Sequence, residues 1–374
     1  MKVLQIANDY LNTQLYQKLF AALLERNIES QVYVPVDYRH ICSDEELKAE
    51  GTVTVVPCFS TVERVLFYSK QRKLIREANK RWDLQKFNLL HAHTVFSGGY
   101  TAWKLHQQYH IPYVVAVRNT DKNVFFRYML HLRHIGVKIM RDAAAVIFLS
   151  PAYRDSVIET YVPRSMRKEI YGKSLVVPNG ISDIFIGDRC RPHNLSTEKI
   201  RLIYVGEISD NKNITTTVEA VEQLRQQGLP LTLTVAGPIR QAKYQGYFEH
   251  YPFITYLGKI APKQVKEQMR QSDIFIMPSH AETFGLVYAE AMSQGLPVIY
   301  TRGQGFDGQF PDGTVGHAVN DRDAGDVAQK IRMVMEQYDT LARNAYEGSA
   351  KFSWDRIASE YQRIYTEVCQ CGNK

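Results

Sequence analysis

Long apolar runs and cysteines are both scarce in this chain of 374 residues. No run reaches the roughly 18 consecutive apolar residues that a membrane-spanning helix requires. The first residues have the pattern of a strand, without the charged segment and apolar stretch of a secretory signal. The five cysteines are scattered and odd in number, which favours reduced thiols over disulfides or a metal site: Cys42, Cys58, Cys190, Cys369 and Cys371. We therefore expect a globular cytoplasmic protein with two domains of roughly 150–200 residues.

Internal repeats and low-complexity tracts are also absent, and strand-like apolar runs alternate with helical segments from end to end. This alternation is typical of parallel sheets in the α/β class. The first half has predicted strands at 2–7, 31–35, 89–92, 113–117, 145–149 and 175–177. The polar stretch 181–197 is predicted to connect two domains. The second half has predicted strands at 201–205, 231–236, 254–257, 274–277 and 298–300.

Small residues follow the predicted strands of the second half. Because ligands bind beyond the carboxyl ends of the strands in open α/β sheets, one rim of this domain is the expected site. The residues on it are Gly206, Gly237, Gly258, Ser279 and Gly303.

The segment 279–298 contains two carboxylates seven residues apart, at Glu282 and Glu290. A helix is predicted to begin at Gly285, Leu286 and Val287, and a helix start offers unpaired N–H groups that suit a diphosphate. Glu290 lies among apolar residues, where a carboxylate needs a partner. We expect Glu290 to bind ribose hydroxyls and Glu282 to bind a hydroxyl of the group beyond the diphosphate.

Positive charge is concentrated in the first half, where residues 1–195 carry 27 Lys and Arg against 18 Asp and Glu. Two basic blocks stand out, at 70–81 and 127–141. Solvated helix faces are the simplest interpretation. The alternative is a docking surface for anionic lipid headgroups or a lipid-diphosphate acceptor. No nucleic-acid partner is expected, because no basic-aromatic recognition motif is present.

Four motifs in order give the chain a family resemblance. The sequence ETFGLVYAE at 282–290, followed by AMSQGLPV at 291–298, closely resembles the nucleotide-sugar motif of retaining GT-B glycosyltransferases. This large family includes sucrose synthases and bacterial transferases for polysaccharides and lipid-linked glycans. LLHAH at 89–93, PNGI at 178–181 and FSWD at 352–355 resemble further family segments.

The resemblance implies a fold of two Rossmann-like doubly wound domains that face each other across a cleft. The acceptor domain would comprise residues 1–190, completed by a C-terminal helix at about 355–370. The nucleotide-sugar domain would comprise residues 196–354.

The resemblance also implies roles for individual residues. Glu290 would hold the ribose and Glu282 a hydroxyl of the donor sugar. The backbone around Gly206, Phe284, Gly285, Leu286 and Val287 would line the sugar and phosphates. The remaining implied site residues are Lys212 at the phosphates, His93 at the cleft, and Arg118 and Asn119 where relatives commonly have a sugar-contacting histidine.

No metal and no cofactor are expected, since the nucleotide sugar is a substrate and cations with the helix start neutralise the diphosphate. The Asp-x-Asp motif at Asp321 and Asp323 is predicted to cap a helix instead of binding a metal.

One departure from the family pattern concerns phosphate binding. Glu207 occupies a position where relatives usually have an arginine, and a carboxylate there would repel a diphosphate. Either Glu207 turns away and another cation on the same predicted rim, Arg240 or Arg302, takes its place, or phosphate binding is lost. The entry loop 8–13 also lacks the usual glycine pair, which would suit a different acceptor.

The leading hypothesis is a retaining, metal-independent hexosyltransferase or N-acetylhexosaminyltransferase. It would move a sugar from a nucleotide diphosphate, with UDP favoured by family frequency, to a polysaccharide or lipid-linked glycan. The basic first domain would contact an anionic membrane peripherally, at the inner face of the cell membrane. Alternatives are a sugar-nucleotide epimerase or hydrolase of the same fold, and a non-catalytic partner of a transferase.

Overall fold

The computed structural model describes residues 1–40, 52–64 and 66–371. The chain divides into two compact units, Met1–Leu149 with Arg154–Pro178 and Trp354–Lys374, and Ser150–Tyr153 with Asn179–Ser353. Within the described part, Cys58, Cys190 and Cys369 form no disulfide, whereas Cys42 and the side chain of Cys371 lie outside it. No helix in the described part is long and apolar enough to cross a membrane.

The first unit is built on a parallel sheet that has seven strands over the described residues, in the order β3-β2-β1-β4-β5-β6-β7. The strands are β1 (Lys2–Ile6), β2 (Glu29–Asp37), β3 (Val53–Phe59), β4 (Leu89–Ala92), β5 (Tyr113–Ala116), β6 (Ala145–Phe148) and β7 (Ser174–Val176). The central strands β4, β5 and β6 are buried along their whole length, as expected for parallel strands covered on both faces.

Helices follow the strands of the first unit and cover its sheet. They are α1 (Leu15–Leu24), α2 (Phe67–Arg81), α3 (Tyr100–Tyr109), α4 (Arg133–Asp142), α5 (Pro151–Tyr161) and α6 (Arg164–Gly172). Two π-helical turns, Val95–Gly99 and Asp121–Phe126, follow β4 and β5 at the carboxyl edge of the sheet.

The second unit has a parallel sheet of six strands over the described residues, in the order β10-β9-β8-β11-β12-β13. The strands are β8 (Ile200–Val205), β9 (Leu231–Ala236), β10 (Ile254–Tyr256), β11 (Ile274–Ile276), β12 (Val298–Thr301) and β13 (Gly316–Val319). The helices are α7 (Asp183–Ile186), α8 (Ile214–Gln226), α9 (Pro262–Arg270), α10 (Leu286–Ser293), α11 (Ala324–Glu336) and α12 (Tyr338–Gly348).

The last helix, α13 (Trp354–Cys371), belongs to the first unit although it follows the second in the chain. It packs with α1 in one hydrophobic core, to which it contributes Ile357, Tyr361 and Tyr365. The hydroxyl of Tyr365 lies 2.6 Å from Nδ1 of His91. The packing of α13 therefore reaches the strand that carries the predicted cleft histidines.

The predicted fold class is confirmed, since both units are doubly wound α/β domains with parallel sheets. Two strands escaped sequence reasoning, and both lie at sheet edges. β3 contains Pro57, which an edge strand tolerates because it need not complete a ladder on both sides. β13 has only four residues, with the sequence GHAV, and begins with Gly316 at φ +147°. The glycine and the histidine break the apolar run that marks a central strand.

Candidate functional site

The second unit has a topological switch point between β8 and β11. β8 pairs with β9 on one side and with β11 on the other, so the chain leaves these neighbouring strands in opposite directions. The crevice beyond the carboxyl ends of two such strands is where open α/β sheets bind ligands. Here it lies between the loop 206–213 after β8 and the loop 277–285 after β11.

Glycines allow the backbone to pass closely at this edge. Gly237, at the end of β9, has φ +149°. A Cβ at Gly237 would lie 1.8 Å from the carbonyl oxygen of Gly206, and a Cβ at Gly206 would lie 3.1 Å from the sulphur of Met277. The two glycines therefore leave the first loop room to run against its neighbours.

Lys212 and Glu282 join the two loops across the switch point. Nζ of Lys212 forms an ion pair with Oε2 of Glu282. The other carboxylate oxygen accepts a hydrogen bond of 3.0 Å from the backbone N–H of Thr283. The side chains are 23% and 15% exposed, respectively, so the pair is largely shielded but still reachable by a ligand.

The loop 206–213 anchors the Glu282 loop through backbone and amide groups. The N–H of His280 donates to the carbonyl oxygen of Asn211 at 2.8 Å, and Nδ2 of Asn211 donates to that of Ala281 at 3.0 Å. Asn213 donates to the carbonyl oxygen of Pro278 at 2.9 Å. These bonds fix the backbone immediately before Glu282.

The loop after β12 anchors Glu282 from the other side. The N–H of Gly305 donates to the carbonyl oxygen of Glu282 at 2.9 Å, while the N–H of Glu282 donates to Oε1 of Gln304 at 3.1 Å. A Cβ at Gly305 would lie 2.3 Å from the carbonyl carbon of Thr283. Only a glycine permits this close approach, so the glycine-rich loop 303–308 supports the site loop directly.

A histidine–aspartate contact connects the Glu282 loop with the segment after β13. Nδ1 of His280 lies 2.5 Å from Oδ2 of Asp321, and the carbonyl oxygen of Asp321 accepts a hydrogen bond from Nδ2 of Asn213. Asp323 caps α11 by accepting hydrogen bonds from Gly325 and Asp326, as predicted for this Asp-x-Asp motif. Nothing in the sequence pattern pointed to the role of His280.

The start of α10 lies next to Glu282. Gly285 precedes the helix with φ +75°, and among the described residues no side-chain hydrogen bond caps the first turn. A Cβ at Gly285 would lie 2.5 Å from the ring of Tyr288. Phe284 is buried and its ring packs edge-on against Phe352, with centroids 5.7 Å apart. The side chain thus anchors the turn, and the N–H groups of the helix start remain available for an anion.

Glu290 lies one turn into α10 as a half-buried carboxylate. Among the described residues, no hydrogen bond or ion pair of its carboxylate is found, and its backbone oxygen accepts from Ser293. Burial raises the pKa of Glu290 to about 7. A carboxylate in this state gains by accepting hydrogen bonds from a ligand, since such bonds restore the solvation that burial removed.

Glu207 forms an ion pair with Arg240, one of the two cations that the sequence offered as alternatives. Nε and Nη2 of Arg240 donate to Oε1 of Glu207 at 2.8 and 2.6 Å, and both side chains are at least half exposed. The carboxylate at the usual arginine position therefore forms an ion pair with a guanidinium. Arg302 is directed elsewhere, because its Nη2 donates to the carbonyl oxygen of Ala318 at 3.2 Å.

His91 and His93 are buried in the first unit. His93 is 1% exposed, its Nε2 lies 2.9 Å from Oε1 of Gln5, and its ring packs against Tyr16 at 4.8 Å. Burial lowers the pKa of His93 well below its usual value and that of His91 to about 3. Both imidazoles are therefore neutral at physiological pH, and the predicted role of His93 stays a prediction.

Arg118 and Asn119 lie after β5 in the first unit. Arg118 is partly buried and interacts with Tyr361 and Asp121. Asn119 is exposed and its side chain accepts a hydrogen bond from Asn123. Their predicted contacts with a donor sugar also stay predictions, since each unit is described by itself.

Asp121 was missed by sequence reasoning. It is 1% exposed and accepts backbone hydrogen bonds from Val95, Phe96 and Arg118 at 2.9–3.1 Å. Burial raises its pKa to about 6, against the lowering effect of these bonds. Asp121 thereby joins the turns after β4 and β5. The sequence shows only that Asp121 lies near the start of a helical turn. Such a local pattern does not reveal a contact with the backbone of a distant segment.

The switch point of the second unit combines a helix start, an ion pair and a carboxylate that has no partner among the described residues, at the edge where open α/β sheets bind ligands. Two family models match consecutive parts of the chain. Residues 16–183 match Glycosyltransferase Family 4, and residues 189–351 match Glycosyl transferases group 1. The chain therefore belongs to the GT-B glycosyltransferases, and the predicted family is confirmed.

Individual relatives agree with this assignment. A D-inositol 3-phosphate glycosyltransferase from Geodermatophilus obscurus is 24% identical over 309 residues, which cover 76% of this chain and 67% of that protein. Sucrose-phosphate synthase from Thermosynechococcus elongatus has a similar structure, with a TM-score of 0.73, 19% identity, and coverage of 99% of this chain and 100% of that one. The structure of Anabaena HepE in complex with UDP-glucose gives a TM-score of 0.65 at 16% identity, over 98% and 100% of the two chains.

Replacing Glu290 should make stability depend less on pH. Its folded-state pKa of about 7 lies above the usual value of 4.5, so ionised Glu290 destabilises the free protein above pH 7 and this cost disappears as the pH falls towards 4.5. Glu290→Gln should therefore raise the free energy of unfolding by roughly 1–2 kcal/mol at pH 8.5 and by much less at pH 5. Denaturant unfolding at both pH values measures this difference. Glu267→Gln, at an exposed glutamate, is the control; an equal gain for Glu290→Gln at both pH values contradicts the account.

Proposed function

We propose that this GT-B glycosyltransferase is a retaining enzyme that moves a sugar from a UDP-sugar to a polysaccharide or lipid-linked glycan. The transferred group is a hexosyl or N-acetylhexosaminyl unit. The observation that carries the proposal is the arrangement at the switch point of the second unit. The Lys212–Glu282 ion pair lies beside the uncapped start of α10, and Glu290 lies one turn further along the same helix.

Each group of this arrangement has a part in binding the donor. The N–H groups at the start of α10 bind the diphosphate, with the backbone of Gly206 and of residues 284–287 lining the sugar and phosphates. Glu290 accepts hydrogen bonds from the ribose hydroxyls, which fits a half-buried carboxylate whose pKa burial has raised. Glu282 accepts a hydrogen bond from a hydroxyl of the donor sugar.

The chemical step requires charge stabilisation more than a dedicated nucleophile. As the bond between the sugar and the diphosphate breaks, negative charge grows on the leaving oxygen. Lys212 and the helix start stabilise this charge in a partly shielded site. The acceptor hydroxyl attacks from the same face, a diphosphate oxygen takes its proton, and the configuration at the anomeric carbon is retained.

Arg240 supplies the cation that the family usually has at position 207. Glu207 holds the guanidinium at 2.6 Å, so the carboxylate does not stand unpaired beside the phosphates. A bidentate-capable guanidinium suits a phosphate better than an ammonium does. This pairing favours an active enzyme over the non-catalytic alternative, for which the unpaired Glu207 was the main argument.

The proposal includes metal independence and the absence of a cofactor. Lys212, Arg240 and the dipole of α10 provide positive charge at the expected place of the diphosphate, which is the work a divalent ion does in other transferases. The choice of UDP is supported by family frequency and by the HepE structure, which contains UDP-glucose.

The acceptor and the location of the enzyme complete the proposal. The acceptor is a glycan, free or carried on a lipid, and the enzyme works in the cytoplasm in peripheral contact with the inner face of the cell membrane. The excess of positive charge in residues 1–195 supports this contact.

Truncating the predicted site residues should remove transfer without unfolding the protein. Glu282→Ala, Glu290→Ala and Lys212→Ala should each lower kcat/KM for transfer by at least roughly a hundredfold, because each removes a contact with the donor or its leaving group. A panel of nucleotide sugars and glycan acceptors, with product anomers read by NMR, gives the rates and the stereochemistry. Glu267→Ala is the matched control at an exposed glutamate.

Near-normal turnover in any of the three variants contradicts that residue's assignment. Product of inverted configuration contradicts retention. Fast conversion of the donor without any acceptor favours the epimerase or hydrolase alternative instead.

Moving the positive charge from position 240 to position 207 tests whether Arg240 replaces the family's usual arginine. Arg240→Ala should lower kcat/KM by roughly tenfold to a hundredfold through lost phosphate binding. Glu207→Arg in the same chain should restore much of the loss, because it returns an arginine to the family's usual position. Steady-state kinetics of the single and double variants measure the coupling. An Arg240→Ala variant with wild-type kinetics, or a double variant no better than Arg240→Ala, contradicts this role.

A further inference from the structure

One segment of the first unit combines concentrated positive charge with exposed apolar side chains. Residues 122–141 contain five Lys or Arg and two His, but no Asp or Glu. They comprise most of the turn after β5, the following short helical segment and nearly all of α4. Such a composition is typical of surfaces that bind anionic partners.

Three large apolar side chains of this segment are exposed. Val124, Tyr128 and Leu130 are 40%, 68% and 62% exposed, respectively. Their neighbours Phe125 and Phe126 hold the turn against the body of the unit. Phe125 stacks on Phe96 with centroids 4.6 Å apart, and Phe126 is fully buried. The apolar residues thus project from a well-anchored turn.

Arg133 connects the exposed turn with a groove along α4. Its Nε donates to the carbonyl oxygen of Phe126 at 2.6 Å, and its guanidinium lies over the ring of Tyr161 at 5.3 Å. The groove has a volume of about 370 Å³. Its apolar residues are Val137, Tyr161, Pro163 and Met166, and its cations are Arg133, Lys138 and Arg141. Cations beside an apolar floor suit the headgroup region of a lipid.

The cations of this segment differ in their contacts within the protein. In the described part of the chain, Arg127, Arg133 and Lys138 form no ion pair with a carboxylate; Arg127 and Lys138 instead lie over the rings of Tyr128 and Trp103. Arg141 pairs with Asp142 at 3.0 Å.

Part of the other basic block, on α2, is paired within the protein. Lys73 pairs with Glu63 at 2.8 Å, and Arg81 pairs with Glu77 at 3.2 Å. The apolar side of α2 is buried through Leu74 and Ala78. Two cations of this block are therefore already compensated by carboxylates of the protein.

We propose that residues 124–141 form a docking surface for an anionic phospholipid bilayer. Val124, Tyr128 and Leu130 enter the interfacial region of the bilayer, while Arg127, Arg133 and Lys138 contact the anionic headgroups. Charge complementarity selects the anionic surface, and the exposed aliphatic side chains favour a bilayer over a nucleic acid, whose phosphates would not cover them. This inference rests on the proposed function, and it identifies the residues that would make its membrane contact.

Vesicle sedimentation with the full chain tests the proposal without any transfer reaction. The vesicles are phosphatidylcholine alone, and phosphatidylcholine with 30% phosphatidylglycerol, in low and in high salt. We expect at least tenfold tighter binding to the anionic vesicles, with a marked loss in high salt because exposed charges are screened.

Two variants separate the apolar and the cationic contributions. Val124→Ser with Tyr128→Ser and Leu130→Ser, and separately Arg127→Gln with Lys138→Gln, should each weaken binding tenfold or more. The matched controls are Leu24→Ser, at an apolar residue that is 60% exposed, and Lys259→Gln with Lys263→Gln in the second unit. Both should bind within twofold of wild type. Circular dichroism verifies folding, and if the apolar variant does not fold, the charge variant decides.

Equal binding of wild type to both kinds of vesicle overturns the proposal, as does wild-type binding by the charge variant. If a folded apolar variant keeps full binding, the surface binds polyanions through charge alone. That result likewise overturns bilayer docking. Failure here leaves the proposed transfer reaction standing, because that reaction is measured on the second unit's residues with soluble acceptors.

Discussion

The ion pair between Lys212 and Glu282 is the interaction on which the candidate site depends. It links the loops that leave β8 and β11 at the switch point, and its two side chains are only 23% and 15% exposed. Partly shielded charges need each other, since removing one leaves the other without compensation. Asn211 and Asn213 on one side and Gly305 on the other fix the backbone around Glu282. The pair therefore presents a carboxylate and an ammonium in a defined place beside the start of α10.

The three glutamates of the site differ in how their charge is compensated. Glu282 has Lys212, and Glu207 has Arg240. Glu290 has no such partner within the described residues, and burial raises its pKa to about 7. Polar groups left unsatisfied in an otherwise well-bonded site are often the ones that a ligand completes. This contrast is the physical basis for assigning the ribose hydroxyls to Glu290.

Sequence patterns predicted the central strands, the helix that carries Glu290 and the glycines of the rim, because apolar runs and turn residues are local signals. They could not predict contacts between distant segments. For Glu207 they left Arg240 and Arg302 as alternative cations, and the structure shows that Arg240, 33 residues away, forms the contact. His280 gave no signal for its contact with Asp321. The motif around His93 likewise gave no signal that its ring packs against Tyr16 of α1 and contacts Gln5, because a strand motif does not encode helix packing.

Proton release on binding tests the central claim, that Glu290 receives the nucleotide ribose, most directly. UDP-glucose has no group that titrates near pH 7, whereas burial raises the pKa of free Glu290 to about 7, so part of it is protonated there. Hydrogen bonds from ribose hydroxyls stabilise the ionised carboxylate, so binding should release a fraction of a proton at pH 7. Calorimetry in buffers of different ionisation enthalpy measures this release. The account predicts release by wild type and none by Glu290→Gln; binding without proton release, or equal release by both proteins, would contradict it.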